Sequence, residues 1–375
     1  MSTDPSSQPT KPQLTTPQPS APATQAAAPQ APHSLCVLRL TALGDCINAF
    51  GLLGALKRTY PELELSWIID ARFAPLFCDE QGHDLITLHP LNFKEQGLKA
   101  ILGLRKELTG QHYEALLNLQ TSLKASLTST VISADHKYGY DQERAREGHQ
   151  FFITDPVKSP DNPHVLAGFM AMAEAAGYPV PEPYWDFKLD PYLIDRAHCL
   201  VSHEKKLCAI APCSAQPSKN WTVEGYIEVG RYAQSHHLQV VLLGSHSELE
   251  LSTCSSIAAA LPGSINLCGH TNLRELAALL AISKIVVAPD SASMHLASAL
   301  GTPVIGLFAR HDENRVGPWN FMDLNVSVYH KLAQSERKGK PIPWRYRVKQ
   351  DNAMEHITPD MVLATFERAL ERYRI

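Results

Sequence analysis

The strongest constraint in this chain is a pattern used twice, short apolar runs each followed by a segment of helical periodicity. Runs at 35–40, 63–69, 85–88 and 113–119 read as strands, with helices between them at 46–59, 94–108 and 123–132. After a stretch holding Pro181, Pro183 and Pro191 the alternation restarts. Strand-like runs then fall at 207–211, 239–243, 264–267, 284–288 and 304–308, and helix-like segments at 223–235, 247–260, 273–282 and 291–300. Strands rich in Val, Ile and Leu that alternate with helices predict parallel sheets buried on both faces, hence an α/β chain of two doubly wound, Rossmann-like domains. Two such domains place a ligand cleft between the carboxyl ends of their strands. The expected division is a tail at 1–34, a first domain at 35–185, a second at 186–357 and a final segment at 358–375. Its amphipathic helix, 359–373, is free to pack on either domain, including back on the first.

Residues 1–34 hold eight of the 27 prolines, no glycine and only Asp4, Lys11 and His33 as ionisable side chains. Such a tract buries too little apolar surface to offset its ordering entropy and is expected to be disordered. The 341 residues beyond it suffice for two cores of roughly 150–170 residues each. Lys plus Arg number 34 against 38 Asp plus Glu, a formal charge of −4. That balance argues against a nucleic-acid partner bound through a broad basic face. The eight cysteines are scattered without a C-x-x-C, the usage of reduced core thiols in a cytosolic protein. No run approaches 18 apolar residues and the N-terminus lacks the basic and apolar regions of a signal peptide, so neither a span nor a leader is expected.

The usual phosphate cradles are missing. After the first strand the glycines are Gly44, Gly51 and Gly54, which is not G-x-G-x-x-G, and there is no G-x-x-x-x-G-K-[ST]. What stands at the first strand–helix turn is Arg39-Leu40-Thr41-Ala42-Leu43-Gly44-Asp45. There Asp45 reads either as a helix N-cap or as a general base aimed into the cleft.

The stretch from Leu38 to Asp45, continued by Leu53-Gly54-Ala55-Leu56-Lys57-Arg58-Thr59-Tyr60-Pro61, resembles the opening of glycosyltransferase family 9, the ADP-heptose:lipopolysaccharide heptosyltransferases. The block from Ala288 to Pro303 is similar to that family's donor-site signature, and the block from Pro212 to Trp221 to its phosphate-contacting loop. The three occur in the family's order, from about Leu35 to the C-terminus. The resemblance implies the GT-B architecture, with the acceptor on the first domain and the nucleotide sugar on the second. It implies inverting heptose transfer from ADP-heptose to the inner core of lipopolysaccharide, with Asp45 as base and Thr41 beside it on the acceptor. Donor contacts fall to Ser214 and Lys219, to Glu248 on the ribose, to Asp290 on the sugar, and to Ser291, Ala292 and His295 on the phosphates. Where the family usually has Thr-Gly after the signature aspartate, this chain has Ser291-Ala292.

On the acceptor side the resemblance points to Lys124, Arg144 and Arg146. It also implies a cytoplasmic enzyme peripherally bound to the inner membrane. Each assignment has a plainer counterpart: a solvated lysine for Lys219, a core histidine for His295, a first-turn helix acid for Glu248, and a salt-bridged helix face for Arg144 and Arg146. Asp290 is also expected to cap the 291–300 helix. The basic stretch from Lys331 to Lys349 reads as a solvated loop or as a contact for a membrane or the acceptor's phosphates. No Asp-x-Asp lies near the donor blocks, so neither metal nor cofactor is expected. A nucleotide-sugar enzyme of the same architecture with another donor, a 2-epimerase, or a degenerate binding module are the rival functions.

Overall fold

A computed structural model describes residues 33–79, 81–84, 86–201 and 205–375. Residues 1–32, most of the expected tail, lie outside the described residues. Two six-stranded parallel sheets form the frame. The first holds β1 (Ser34–Leu38), β2 (Glu64–Asp70), β3 (Thr87–Leu91), β4 (Tyr113–Asn118), β5 (Ala134–Tyr140) and β6 (Asp155–Val157), with helices α1 (Leu43–Thr59), α2 (Phe93–Gln96), α3 (Lys99–Glu107), α4 (Leu123–Ser129) and α5 (Val165–Ala175). Its strand order is β3-β2-β1-β4-β5-β6. In β1, Leu35 and Val37 face one core while Cys36 and Leu38 face another, so both sides of the sheet are buried as the apolar runs require.

The second lobe repeats the order. It comprises α6 (Pro191–Leu200), β7 (Leu207–Ile210), α7 (Val223–Ser235), β8 (Gln239–Leu242), α8 (Glu248–Ala260), β9 (Ile265–Asn266), α9 (Leu273–Ile282), β10 (Ile285–Pro289), α10 (Ala292–Ala299), β11 (Val304–Phe308), α11 (Glu313–Val316), β12 (Val326–Ser327), α12 (Tyr329–Arg337) and α13 (Pro359–Tyr373). The strands run β12-β11-β10-β7-β8-β9. In each sheet the order therefore reverses beside the first strand, between β1 and β4 and between β7 and β10, and a crevice opens at the carboxyl ends there. The amphipathic α13 packs against α7 of this lobe, its Phe366 ring 5.6 Å from Tyr232, rather than returning to the first.

Local differences from the sequence pattern have local causes. The helix expected at 94–108 is split at Gly97, whose φ of +55° ends α2 before α3 begins. Strands β5 and β6 escaped the apolar-run criterion because Ala134–Tyr140 is mostly polar and Asp155–Val157 is very short. Helix α1 starts at Leu43 with Ala42 as its N-cap, so Asp45 is not the cap but stands inside the first turn. Likewise Ser291 precedes α10, and Asp290 does not cap it. The turn after β1 is anchored from below by fully buried Trp67, whose indole donates to the Arg39 carbonyl at 3.1 Å and whose ring meets Phe77 edge-on at 4.7 Å. Replacing it with Ala would cost about 3–5 kcal/mol.

Candidate active site

The two switch points face one cleft of about 1970 Å³. That exceeds the ~300–1,000 Å³ of an ordinary ligand pocket and leaves room for two substrates. On the first lobe, Gln120, just past β4, fixes the turn after β1. Its side-chain oxygen accepts from the Leu40 and Thr41 N–H groups at 2.9 and 3.1 Å, and its amide donates to the Thr41 and Ser122 hydroxyls at 3.3 and 2.8 Å. Arg39 continues from β1, donates to the Leu119 carbonyl, lies over the Phe169 ring and forms an ion pair with Asp45 through Nη2 and Oδ2. Asp45 keeps 29% of its side chain exposed and lines the cleft, so its carboxylate is oriented without being covered. The next residue back, Gly44, touches the ring of His295, where a Cβ would collide.

On the second lobe, the loop after β7 brings in Ser214, whose N–H donates to Asn220 Oδ1 at 2.7 Å. A short turn then carries Lys219 to Asp290 at the end of β10, with Nζ to Oδ2 at 3.1 Å. The same oxygen receives His311 Nδ1 at 2.6 Å. Burial alone would raise the Asp290 carboxyl, but Lys219 and His311 hold it well below the usual carboxylate range. Burial pushes both His311 and His295 down, which keeps both rings neutral at pH 7. At the start of α10, Ser291 Oγ and His295 Nδ1 are buried and find no hydrogen-bond partner among the described residues. Unpaired polar atoms at a helix N-terminus that opens on a cleft suit an anionic ligand.

A basic wall closes the cleft. Arg345 donates from Nη1 to Thr121 Oγ1 at 3.1 Å, and the Trp344 indole donates to the Pro163 carbonyl at 2.7 Å, so this C-terminal stretch reaches across to the first lobe. Arg315 and Arg345 both pack on the Trp344 ring, at 5.3 and 5.0 Å. Burial pushes the Arg345 guanidinium down to about 10 and lowers Arg315 as well. Both are half-buried cations without a carboxylate partner among the described residues, and with Arg146 and Arg347 they line the cleft.

Of the residues singled out in the sequence, Thr41, Asp45, Arg146, Ser214, Lys219, Asp290, Ser291, Ala292 and His295 meet in this cleft. Glu248 does not. It is exposed in the first turn of α8, and Glu250 faces the cleft instead, accepting from the Ser245 N–H and hydroxyl at 2.6 and 2.8 Å. Arg144 is a correction too: buried, it pairs with Asp141 and donates to the Val157 carbonyl, a structural clamp on the β5–β6 connection. Lys124 lies 3.8 Å from Asp70 and over the Phe93 ring, outside the cleft lining, with burial lowering its ammonium. The Lys331–Lys349 stretch is neither free loop nor uniform patch. Its first part, 331–337, belongs to helix α12, and Tyr346 and the Lys349 N–H are tied to Glu336.

Sequence reasoning passed over Arg39, Gln120, Glu250, His311 and Arg315, and reached Arg345 and Arg347 only as members of the Lys331–Lys349 stretch. Gln120 and His311 each follow a strand end, a placement that marks cleft residues in doubly wound sheets. Ser247-x-x-Glu250 is a capping-box spacing that turns an N3 glutamate back toward the preceding loop. A group of Asp312, Glu313 and His330 close enough for a cation lies apart from the cleft lining. Its acids are otherwise engaged, Asp312 as the α11 cap and Glu313 with Ser327.

Residues 101–343 match the model of the family described as Glycosyltransferase family 9 (heptosyltransferase). The chain is 37% identical over 343 residues to the lipopolysaccharide core heptosyltransferase OpsX of Haemophilus influenzae, covering 90% of this chain and 97% of that protein. Solved structures of similar fold include a family 9 glycosyl transferase from Veillonella parvula (TM-score 0.71, 17% identity, 91% of this chain and 97% of that one). The E. coli heptosyltransferase WaaC with ADP is another (TM-score 0.68, 17% identity, 90% and 99%).

Proposed function

Since this chain belongs to glycosyltransferase family 9, with the GT-B architecture, and is a heptosyltransferase of lipopolysaccharide core biosynthesis, we propose that it moves heptose from ADP-heptose to a Kdo or heptose of the inner core, with Asp45 as general base. The observation that carries this reading is that Asp45 and the Lys219–Asp290–His311 group with the α10 N-terminus line one cleft from opposite lobes. Asp45 takes the proton from an acceptor hydroxyl, and that oxygen bonds to the anomeric carbon. The bond from that carbon to the β-phosphate oxygen breaks, and ADP leaves with the electron pair from the opposite face, so configuration inverts.

Charge gathers on the departing diphosphate, and Lys219, the Ser214 and Ser291 hydroxyls, the Ala292 N–H and His295 meet it. The buried Asp290, its charge balanced by Lys219 and its oxygen bonded by His311, holds that lysine in place and is suited to donor hydroxyls. Glu250, in the role first given to Glu248, serves the ribose. Arg146, Arg315, Arg345 and Arg347 suit the carboxylates and phosphates of a lipopolysaccharide core, with Thr41 beside the accepting hydroxyl. Written this way the reaction balances with donor and acceptor alone. An acceptor anchored in a leaflet brings the enzyme to the membrane surface.

The test is Asp45→Asn. It keeps size and hydrogen bonding but removes the base, and kcat should fall by ~10²–10⁴ while ADP affinity holds. Mass spectrometry of products from several nucleotide sugars and truncated acceptors reads the donor directly. A wild-type rate in the variant, or turnover of donor without acceptor, would overturn the assignment.

A further inference from the structure

Away from the cleft, the first lobe carries an outward face whose chemistry the transfer reaction does not use. In α3, Ala100, Ile101 and Leu104 are buried, and Leu108 at its end is buried with them. At 100° per residue, the opposite side of the helix holds Lys99, Leu102 and Lys106, flanked by Leu98 and Arg105. Leu98 is 66% exposed and Leu102 59%, unusual for leucines one turn apart. The acids nearby are engaged elsewhere: Glu107 meets His89 Nδ1 at 2.5 Å and Glu95 accepts from Asn92 at 2.6 Å.

This face adjoins the cleft mouth. Leu123, 49% exposed, directly follows the cleft residues Thr121 and Ser122. The neighbouring Lys124 ammonium sits 3.8 Å from the centre of the Phe93 ring, which joins α4 to α2 just before α3. Glu147, itself on the cleft, accepts from the Leu123 N–H at 2.6 Å and so ties to α4 the turn that leads to Phe151, 81% exposed. Exposed leucines framed by Lys99, Arg105 and Lys106, with the nearby acids held in hydrogen bonds to Asn92, His89 and the Leu123 N–H, complement an anionic interface: the apolar tips enter the headgroup layer and the cations meet lipid phosphates. A few such side chains set among cations cover less than the roughly 800 Å² per partner that a stable protein interface needs.

We propose that the α3 face, extended by Leu123 and Phe151, docks the enzyme on an anionic bilayer and holds the acceptor side of the cleft against the leaflet. This rests on the lipopolysaccharide-acceptor reading above. The face is distinct from the Lys331–Lys349 stretch, whose Arg345 and Arg347 point into the cleft.

The experiment is co-sedimentation of the full chain with vesicles of phosphatidylethanolamine and phosphatidylglycerol, and with phosphatidylcholine vesicles, at low and high salt. The wild type should favour the anionic vesicles and release with salt. L98E/L102E should bind at least about tenfold less, and K338E/K340E as wild type. Both leucines are already exposed, so the substitution leaves the core intact, and transfer to a deacylated, soluble core oligosaccharide should stay at the wild-type rate. Equal vesicle binding by L98E/L102E, loss of binding through K338E/K340E instead, or a wild-type dimer that L98E/L102E dissociates would each overturn the proposal. Failure of the wild type to use the soluble acceptor would count against the acceptor reading, independently of the vesicle result.

Discussion

Lys219 stands 3.1 Å from Asp290, with about a tenth of either side chain exposed, so removing the lysine does two things at once. Under the proposed donor site it deletes a charge-assisted hydrogen bond to the diphosphate, a loss of about 1.5–3 kcal/mol, or roughly 10- to 150-fold in ADP affinity. It also unmasks a buried carboxylate that His311 then faces without the lysine. With a phosphate about one lysine headgroup beyond, roughly 8 Å, repulsion at an effective dielectric constant of ~20 adds about 2 kcal/mol. Lys219→Met should therefore bind ADP more weakly than a lost contact alone explains. Asp290→Asn in that background should restore about 2 kcal/mol, near 30-fold, although it adds no positive charge. Isothermal titration with ADP on wild type, both single variants and the double variant closes the cycle. Two results refute the reasoning: ADP affinity unchanged by Lys219→Met, or a double variant no tighter than that single one.

Glu250→Gln should weaken ADP binding by about 1–3 kcal/mol through its bonds to Ser245 and the nucleoside, while Glu248→Gln changes nothing; the same titration distinguishes them. His149 and His164 are fully or nearly buried, and burial pushes each down to about 4. Each accepts a backbone N–H, His149 from Tyr140 and His164 from Leu166, which a second ring proton would break. Unfolded histidine binds its proton near pH 6.5 and the folded rings refuse it. Stability is therefore complete above about pH 6.5 and falls toward pH 4 by about 3 kcal/mol per histidine. Urea melts across that range should show the decline, and His149→Asn and His164→Asn should each flatten it. A wild-type profile level down to about pH 4.5 would contradict the burial argument.

Much of the frame was legible because buried parallel strands announce themselves: β7, β8, β10 and β11 fall where the apolar runs lie, and the helices between them keep their period. What stayed hidden has physical reasons. A strand next to the sheet margin such as β5, bordered outside only by the three-residue β6, needs little apolar character, since Asp135 and His136 on it remain exposed. Asp45 and Asp290 looked like caps because an acid at a strand–helix junction suits both roles, and only the third dimension supplies Arg39 to one and Lys219 with His311 to the other. Glu248 and Glu250 differ by two positions on a helix, about 200°, and register alone decides which meets the loop. Arg345 reaches Thr121 across 224 residues of sequence, a pairing no local pattern encodes.

Gly44 and His295 touch without an intervening Cβ, so the helix that carries the proposed base rests directly on the helix whose N-terminus is proposed to meet the departing phosphate. Lobes pivoting like the arms of a caliper would keep this pair near the axis, where displacement is smallest. The span over which one bond forms as another breaks is then set by two abutting helices, whatever the swing of the arms. Rocking of that kind would govern admission and release of the sugars and leave the reaction coordinate itself at fixed gauge.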